Sequence, residues 1–295
     1  MGAQLQAVHP QPLGRVLPSP LHRKGTCRWE MRLLFHSQHA KQHKQMKKDG
    51  LTLRPLDKKL ETAIDEMDCC RGKEFYNIFD EFLDLTLGLM CNNPNQHQIE
   101  LLTKMGENEE YKAAYAKAVS AYGEAAADYH DPFGNIFMAR ISHGNNGQFF
   151  TPEDLCQLHA HILVPNDGYI NDPTCGSGRM LLAGLKNARE RGFEPWLCGQ
   201  DLSYTCAKMT LLNLMINQAR GYVTCGDVLR YEQEKWTYFR IDRVFTLSGM
   251  VLSTYWQYSL SEVDAIEEKI TAWIKKQMSE GRWVEIFKTP DDIKA

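Results

Sequence analysis

Asn171-Asp172-Pro173-Thr174-Cys175-Gly176-Ser177-Gly178-Arg179 is the stretch on which the reading of this chain turns. It leaves a segment with strand character, residues 168–171, and enters one patterned as a helix, residues 179–191. Small residues at such a junction let the backbone approach a ligand, and free amides at a helix start favour negative charge. A dinucleotide fingerprint would need a third glycine three positions after Gly178. Position 181 is Leu. The two glycines by themselves therefore carry little weight.

Working outward, the spacing adds to them. A helix is expected over 153–163, strands over 168–171, 196–200 and 222–224, and helices over 179–191 and 204–218. A strand over 241–247 and a helix over 262–279 follow. Strands alternating with helices of ten or more residues predict a parallel sheet of crossover units. Asp201 ends the second strand, 25 residues after Gly176. A carboxylate there can accept both ribose hydroxyls of a nucleoside. Asp227 follows the third strand in Cys225-Gly226-Asp227, placed to accept from an exocyclic adenine amine. An Asp after a strand also caps helices. Three such signals at three strand ends, where open parallel sheets bind ligands, are harder to explain that way.

The chain has 295 residues and a formal net charge of −3. Residues 1–60 hold twelve Lys or Arg and three Asp or Glu, a formal +9, and the remainder carries −12. A basic arm on an acidic body suits contact with a polyanion. Residues 1–56 contain five prolines and little periodicity; they read as an irregular arm, with a short helix possible around 29–48. Residues 57–146 read as a helical domain, with a dense apolar stripe from Phe75 to Leu87 and a break at Asn92-Asn93-Pro94-Asn95. Residues 147–295 form the third part. Nine cysteines without a CxxC pair read as thiols of a reducing cytoplasm, not as zinc ligands. No run nears the roughly 18 apolar residues of a membrane span.

Upstream lies Gly147-Gln148-Phe149-Phe150-Thr151-Pro152, followed by Glu153. Thr151 as N-cap with Pro152 at the first helical position is a sound helix start and needs no function. Its combination with the rest is specific. A G-x-[FY]-[FY]-T-P segment, D-P-[AT]-C-G-[ST]-G about twenty residues on, an acidic residue after the second strand and G-D after the third all occur in that order. In this the chain resembles the adenine-specific DNA methylases, the family that includes the modification subunits of type I restriction systems. The resemblance runs from about Asp131 to Asp227, roughly a third of the chain. It implies a Rossmann-like α/β methyltransferase sheet, S-adenosylmethionine as cofactor, DNA as substrate, and a specificity or other partner subunit. By matching positions, Phe150 and Thr151 would flank the methionine part of the cofactor and Asp172 would lie near its amino group. The Pro173-Thr174-Cys175-Gly176-Ser177-Gly178 turn would pass beside the cofactor. Asp201 would hold the ribose and Asp227 the adenine ring.

The match breaks after Asp227. The family's [ND]-P-P-[FY] element should follow the fourth strand, because an extruded adenine needs acceptors for its N6 amine and a ring to stack on. Here the fourth strand runs into Thr246-Leu247-Ser248-Gly249, and no Pro-Pro occurs in the chain. Ser248 could offer an acceptor, and Tyr255 or Trp256 a stacking face, although core packing is the commoner role for Trp256. The sheet also looks shortened, with 250–258 and 283–287 able to add one or two strands. Four readings follow: an adenine-N6 DNA methyltransferase; a cofactor-binding relative without turnover, acting as a regulatory or DNA-associated subunit; a methyltransferase for another acceptor; and a nicotinamide enzyme. Leu181 and the G-Q-F-F-T-P segment disfavour the last.

Overall fold

The computed structural model describes residues 52–69, 71–142, 150–163, 168–230, 232–246 and 250–285. Residues 1–51 of the basic arm, with its expected helix, lie outside them, and the arm's last two residues, Pro55 and Leu56, are helical. Among the described residues four α-helices come first: α1 (Pro55–Asp65), α2 (Phe75–Met90), α3 (Gln96–Gly106) and α4 (Glu109–Ala125). Three of them have a local reason to start. Pro55 opens α1, where its missing N–H costs nothing. The Asn92–Asn95 break ends α2, and Asn95 then begins α3 with a capping box. Its side chain accepts from the Gln98 amide at 2.9 Å, and the Gln98 side chain accepts from the Asn95 amide at 3.1 Å. Asn108 caps α4 by accepting from the Tyr111 amide at 2.9 Å. The short α5 (Pro132–Ile136) leads into a π-helical turn, Phe137–Ser142.

The alternating part then runs α6 (Glu153–Leu163), β1 (Tyr169–Asp172), α7 (Arg179–Glu190), β2 (Trp196–Asp201), α8 (Tyr204–Ile216) and β3 (Arg220–Cys225). It ends with β4 (Thr237–Phe245), β5 (Val251–Tyr258), α9 (Val263–Ser279) and β6 (Trp283–Glu285). Sheet order is β1-β2-β3-β4-β5, with β6 also beside β4. The architecture is α/β, as the strand–helix alternation implies.

One expectation is corrected. β1, β2 and β3 are parallel, but β4 runs antiparallel to β3, and β5 and β6 antiparallel to β4. Parallel neighbours need a crossover of about a dozen or more residues, usually a helix. Between β3 and β4 the only helical piece among the described residues is the 3-10 turn Gln233–Lys235. The chain returns directly and the sheet becomes mixed.

One core joins the helices to the sheet. Phe79, Phe82 and Leu83 of α2 share a buried cluster with Leu181 and Leu185 of α7, Met209 and Leu212 of α8, and Leu197, Val223, Phe239 and Tyr255 of the strands. Burying each such side chain contributes roughly 1.5–3 kcal/mol. Residues alternate across a strand, so the neighbours of Phe239 and Tyr255 face the other way. There Tyr238, Trp256 and Tyr258 pack under Val263, Ile266 and Ile270 of α9 in a second cluster. Trp256 is thus a core residue, edge-on to Trp273 at 5.9 Å.

Candidate functional site

The C-terminal ends of the three parallel strands carry three carboxylates. Asp172 ends β1, Asp201 ends β2, and Asp227 follows β3 by two residues. Asp172 pairs with Gly199 and Asp201 with Cys225, so each carboxylate sits two positions further along than its neighbour. The first step comes from strand length, four residues in β1 and six in β2, and the second from Asp227 lying two residues beyond the end of β3.

Asp201 ties the three loops together. Its Oδ2 accepts from the Gly176 amide at 2.9 Å and its Oδ1 from the Ser203 amide at 2.8 Å. Its carbonyl accepts from the Gly226 amide at 2.9 Å. Each carboxylate oxygen keeps a second acceptor position. Asp172 Oδ1 accepts from the Thr174 amide at 3.1 Å. Burial pushes the Asp172 carboxyl above its usual range; the Thr174 amide opposes this and the charge of Asp201 adds to it. Asp227 Oδ1 accepts from the Leu229 amide at 2.9 Å, and Arg230 Nε lies 3.4 Å from Oδ2.

The glycine turn is held tightly. Gly176 has φ +57°, and a Cβ there would sit 2.6 Å from the Phe150 ring. Only glycine allows both the left-handed backbone and the ring lying against it. Phe150 in turn packs 5.7 Å from Phe137. The Thr210 hydroxyl donates to the Gly176 carbonyl at 2.8 Å, and the Cys175 amide to the Gln200 carbonyl at 2.8 Å. Burial pushes the Cys175 thiol far up, which makes it a packing group and not a nucleophile. Pro173 starts the turn at the surface. Gly178, with φ +84°, precedes α7, whose first side chain, Arg179, donates to the Thr151 carbonyl at 3.2 Å. Trp236 walls the Gly226-Asp227 turn: a Cβ on Gly226 would lie 2.1 Å from the indole.

The site is acidic. The Gly176 amide is already given to Asp201, and the Gly178 amide to the Cys175 carbonyl at 2.8 Å. That turn therefore offers no free glycine amides to a phosphate. Its spare groups are carboxylate oxygens, which suit hydroxyls, amines and cationic centres. A cavity of about 420 Å³ opens beside Asp172, between α6, β1 and α7, and reaches Thr151 and Thr174.

Phe150, Thr151, Asp172, Pro173, Cys175, Gly176, Gly178, Asp201 and Asp227 thus all lie on or beside one set of loops. Ser248 and Gly147–Phe149 fall outside the described residues. Tyr255 does not join the site. It is fully buried, and its hydroxyl accepts from Gln98 Nε2 at 3.0 Å. It has no face left for a substrate base, because β5 places it against Phe239 in the shared core. Sequence reading missed Asp131, Phe137, Asn213 and Trp236. Only Asp131-Pro132, a cap followed by proline, left a local signal.

Residues 133–271 match the sequence profile of the N-6 DNA Methylase family. This part of the chain resembles that family. The Type I restriction enzyme MjaIX methylase subunit of Methanocaldococcus jannaschii is 29% identical over 123 residues, 39% of this chain and 22% of that protein. The MjaVIII methylase subunit of the same organism is 30% identical over 166 residues, 54% of this chain and 26% of that protein. The MpnII methylase subunit of Mycoplasma pneumoniae is 24% identical over 172 residues, 56% of this chain and 31% of that protein. The chain therefore spans less than a third of the length of these relatives. A putative class I S-adenosylmethionine-dependent methyltransferase from Listeria monocytogenes is a loose structural likeness, with TM-score 0.41 and 15% identity, covering 57% of this chain and 51% of that one.

Proposed function

We propose that residues 150–227 form the S-adenosylmethionine site of a DNA methyltransferase of the adenine-N6 class. The observation that carries this reading is the trio Asp172, Asp201 and Asp227 on adjacent parallel strands around the Gly176 turn. The remaining acceptor positions of Asp201 take the two ribose hydroxyls. Asp172 faces the amino group of the methionine part, whose positive charge opposes the upward push of burial on this carboxyl. Phe150 and Thr151 flank that part, and the turn from Pro173 through Cys175 to Gly178 passes along it. Asp227 accepts from the adenine amine, with Trp236 fixing its turn. When bound, the cofactor supplies a methyl group on a cationic sulfonium. The protein's share is to orient that group and exclude water from it.

DNA as methyl acceptor, a specificity or other partner subunit, and a cytoplasmic setting belong to the same proposal. No helix among the described residues is long and apolar enough to cross a membrane. The arm, 1–56, supplies positive charge for DNA, residues 57–146 act as a helical scaffold, and residues 147–295 carry the methyltransferase-like part.

A second reading is favoured by a specific observation. The chain holds no Pro-Pro acceptor element, and the ring nearest to serving instead, Tyr255, is buried. On that reading the chain binds the cofactor without transferring its methyl group unaided. Incubation with tritiated S-adenosylmethionine and duplex DNA, single strands, RNA or protein separates the two. Label in DNA adenine supports the first reading; cofactor binding without transfer to any acceptor supports the second.

A further inference from the structure

Asp131 is completely buried, lies outside the ligand-facing loops, and accepts four hydrogen bonds. They come from the Gly134 amide at 2.9 Å, the Ser177 hydroxyl, Arg179 Nε at 3.0 Å and Asn213 Nδ2 at 2.8 Å. Ser177 belongs to the glycine turn, Arg179 begins α7, and Asn213 lies on α8. Asn213 Nδ2 also donates to the Ser177 carbonyl at 2.9 Å. A buried carboxylate is tolerated only with such pairing, so removing one partner leaves the others unsatisfied.

Arg179 extends the hub. Its other nitrogens donate to the Thr151 carbonyl at 3.2 Å and to Asn135 Oδ1 at 2.8 Å. The planar guanidinium thus spans three segments at once, in a way an ammonium does not. Gly134 makes room for this convergence. A Cβ there would lie 2.1 Å from Asp131 Oδ2 and 2.8 Å from Arg179 Nη2.

A second chain of contacts reaches the other flank of the site. Asn135 Nδ2 donates to Asp57 Oδ2 at 2.9 Å. Asp57 Oδ1 lies 2.9 Å from His130 Nε2, and His130 Nδ1 lies 2.6 Å from Glu153 Oε1. Glu153 starts α6 directly after Phe150-Thr151-Pro152. The turn and the Phe150–Pro152 segment are therefore both fastened to one buried network rooted in α1 and α5.

We propose that Asp131 and Arg179 are positioning residues that set the geometry of the Pro173–Gly178 turn against Phe150 and Thr151, and thereby set affinity for S-adenosylmethionine. This rests on the cofactor reading above. Neither side chain reaches the ligand; both act through the turn. A residue serving stability alone would change affinity no more than an equally destabilising change elsewhere does.

The test uses the full chain with Arg179→Lys, Ser177→Ala and, as a control, Glu81→Gln. Glu81 is a buried carboxylate bonded to Arg71, Lys73 and Tyr111, away from the turn. Cofactor affinity by calorimetry, thermal melting, and amide hydrogen exchange over residues 173–179 and 150–152 are measured for each. Arg179→Lys is expected to weaken binding about tenfold or more and Ser177→Ala about threefold, both with faster exchange in the two segments. Glu81→Gln is expected to lower melting without either effect. Unchanged affinity in Arg179→Lys would overturn the proposal. So would an equal loss of affinity in Glu81→Gln at equal melting. If the wild-type chain binds no S-adenosylmethionine, the cofactor reading fails and the affinity claim falls with it. The exchange data then decide the positioning claim on their own: it stands if exchange quickens only in the hub variants and falls if exchange is unchanged.

Discussion

From Tyr169 to Asp227 the strands run parallel, and their C-terminal ends carry carboxylates. From Thr237 onward they run antiparallel, and rings pack against both of their faces. Tyr238 stacks on Tyr258 at 5.8 Å, Trp256 meets Trp273, and Phe239 meets Tyr255. The first region places polar groups at loop ends, where a ligand can reach them. The second places aromatic groups in two cores, where none can. On the proposed reading, one sheet divides into a binding half and a packing half. The division falls where the crossover helices stop.

The comparison is sharpest if the two halves fail differently. Tyr255→Ala should have the largest effect on stability, about 3–5 kcal/mol, from a large buried cavity and an unpaired Gln98. Urea unfolding measures it. The folded fraction should bind cofactor within about twofold of wild type, and a parallel loss of affinity would break the division.

The halves should also respond to pH in separate windows. Burial pushes the Asp242 carboxyl on β4 up to about 6, with Arg240 opposing. Its folded form holds the proton more tightly than the unfolded chain does. Its contribution to stability is therefore full below pH 3.8 and lost as pH rises through about 6. His130, under the binding half, works higher. Burial disfavours its charge, but Asp57 and Glu153 overcome this and raise it to about 9. Its contribution is full below pH 6.5 and lost as pH rises through about 9. Each loss is about 3 kcal/mol. In urea titrations across pH, Asp242→Asn should flatten the lower window only and His130→Gln the upper only. One variant flattening both would merge the halves.

The smallest effect concerns the arm. DNA affinity should fall as salt rises, and deleting residues 1–45 should make that fall shallower without changing cofactor affinity. Filter binding over a salt series measures the slope.

Much of the binding half was legible in the residues. Helix α6 occupies the expected 153–163, and β1, β2 and α7 fall within a residue of expectation. Long crossover helices repeat every 3.6 residues and announce themselves, and glycine turns between them are conspicuous. β4 was less legible. It begins at Thr237 and not near Ile241, because Tyr238 and Arg240 face the α9 side while Phe239 and Ile241 face the shared core. A strand buried on both faces loses the alternation that marks its ends. Its direction depended on an absent helix, which no residue states. The Asp131 hub was hidden for another reason. Asp131 precedes Pro132 and reads as a helix cap, which it is. Its partners Ser177 and Asn213 lie 46 and 82 positions away, so no local spacing betrays them.

The central claim is that the ends of β1, β2 and β3 hold S-adenosylmethionine, with Asp201 at the centre. Calorimetric titration of the wild-type chain and of Asp201→Ala with the cofactor tests it most directly. Losing a charged acceptor of two hydroxyls should cost about 2–3 kcal/mol, or roughly 30- to 150-fold in Kd. The account predicts saturable binding to the wild type and that loss in the variant. No heat with the wild type well above micromolar cofactor, or equal affinity in the two proteins, would contradict it.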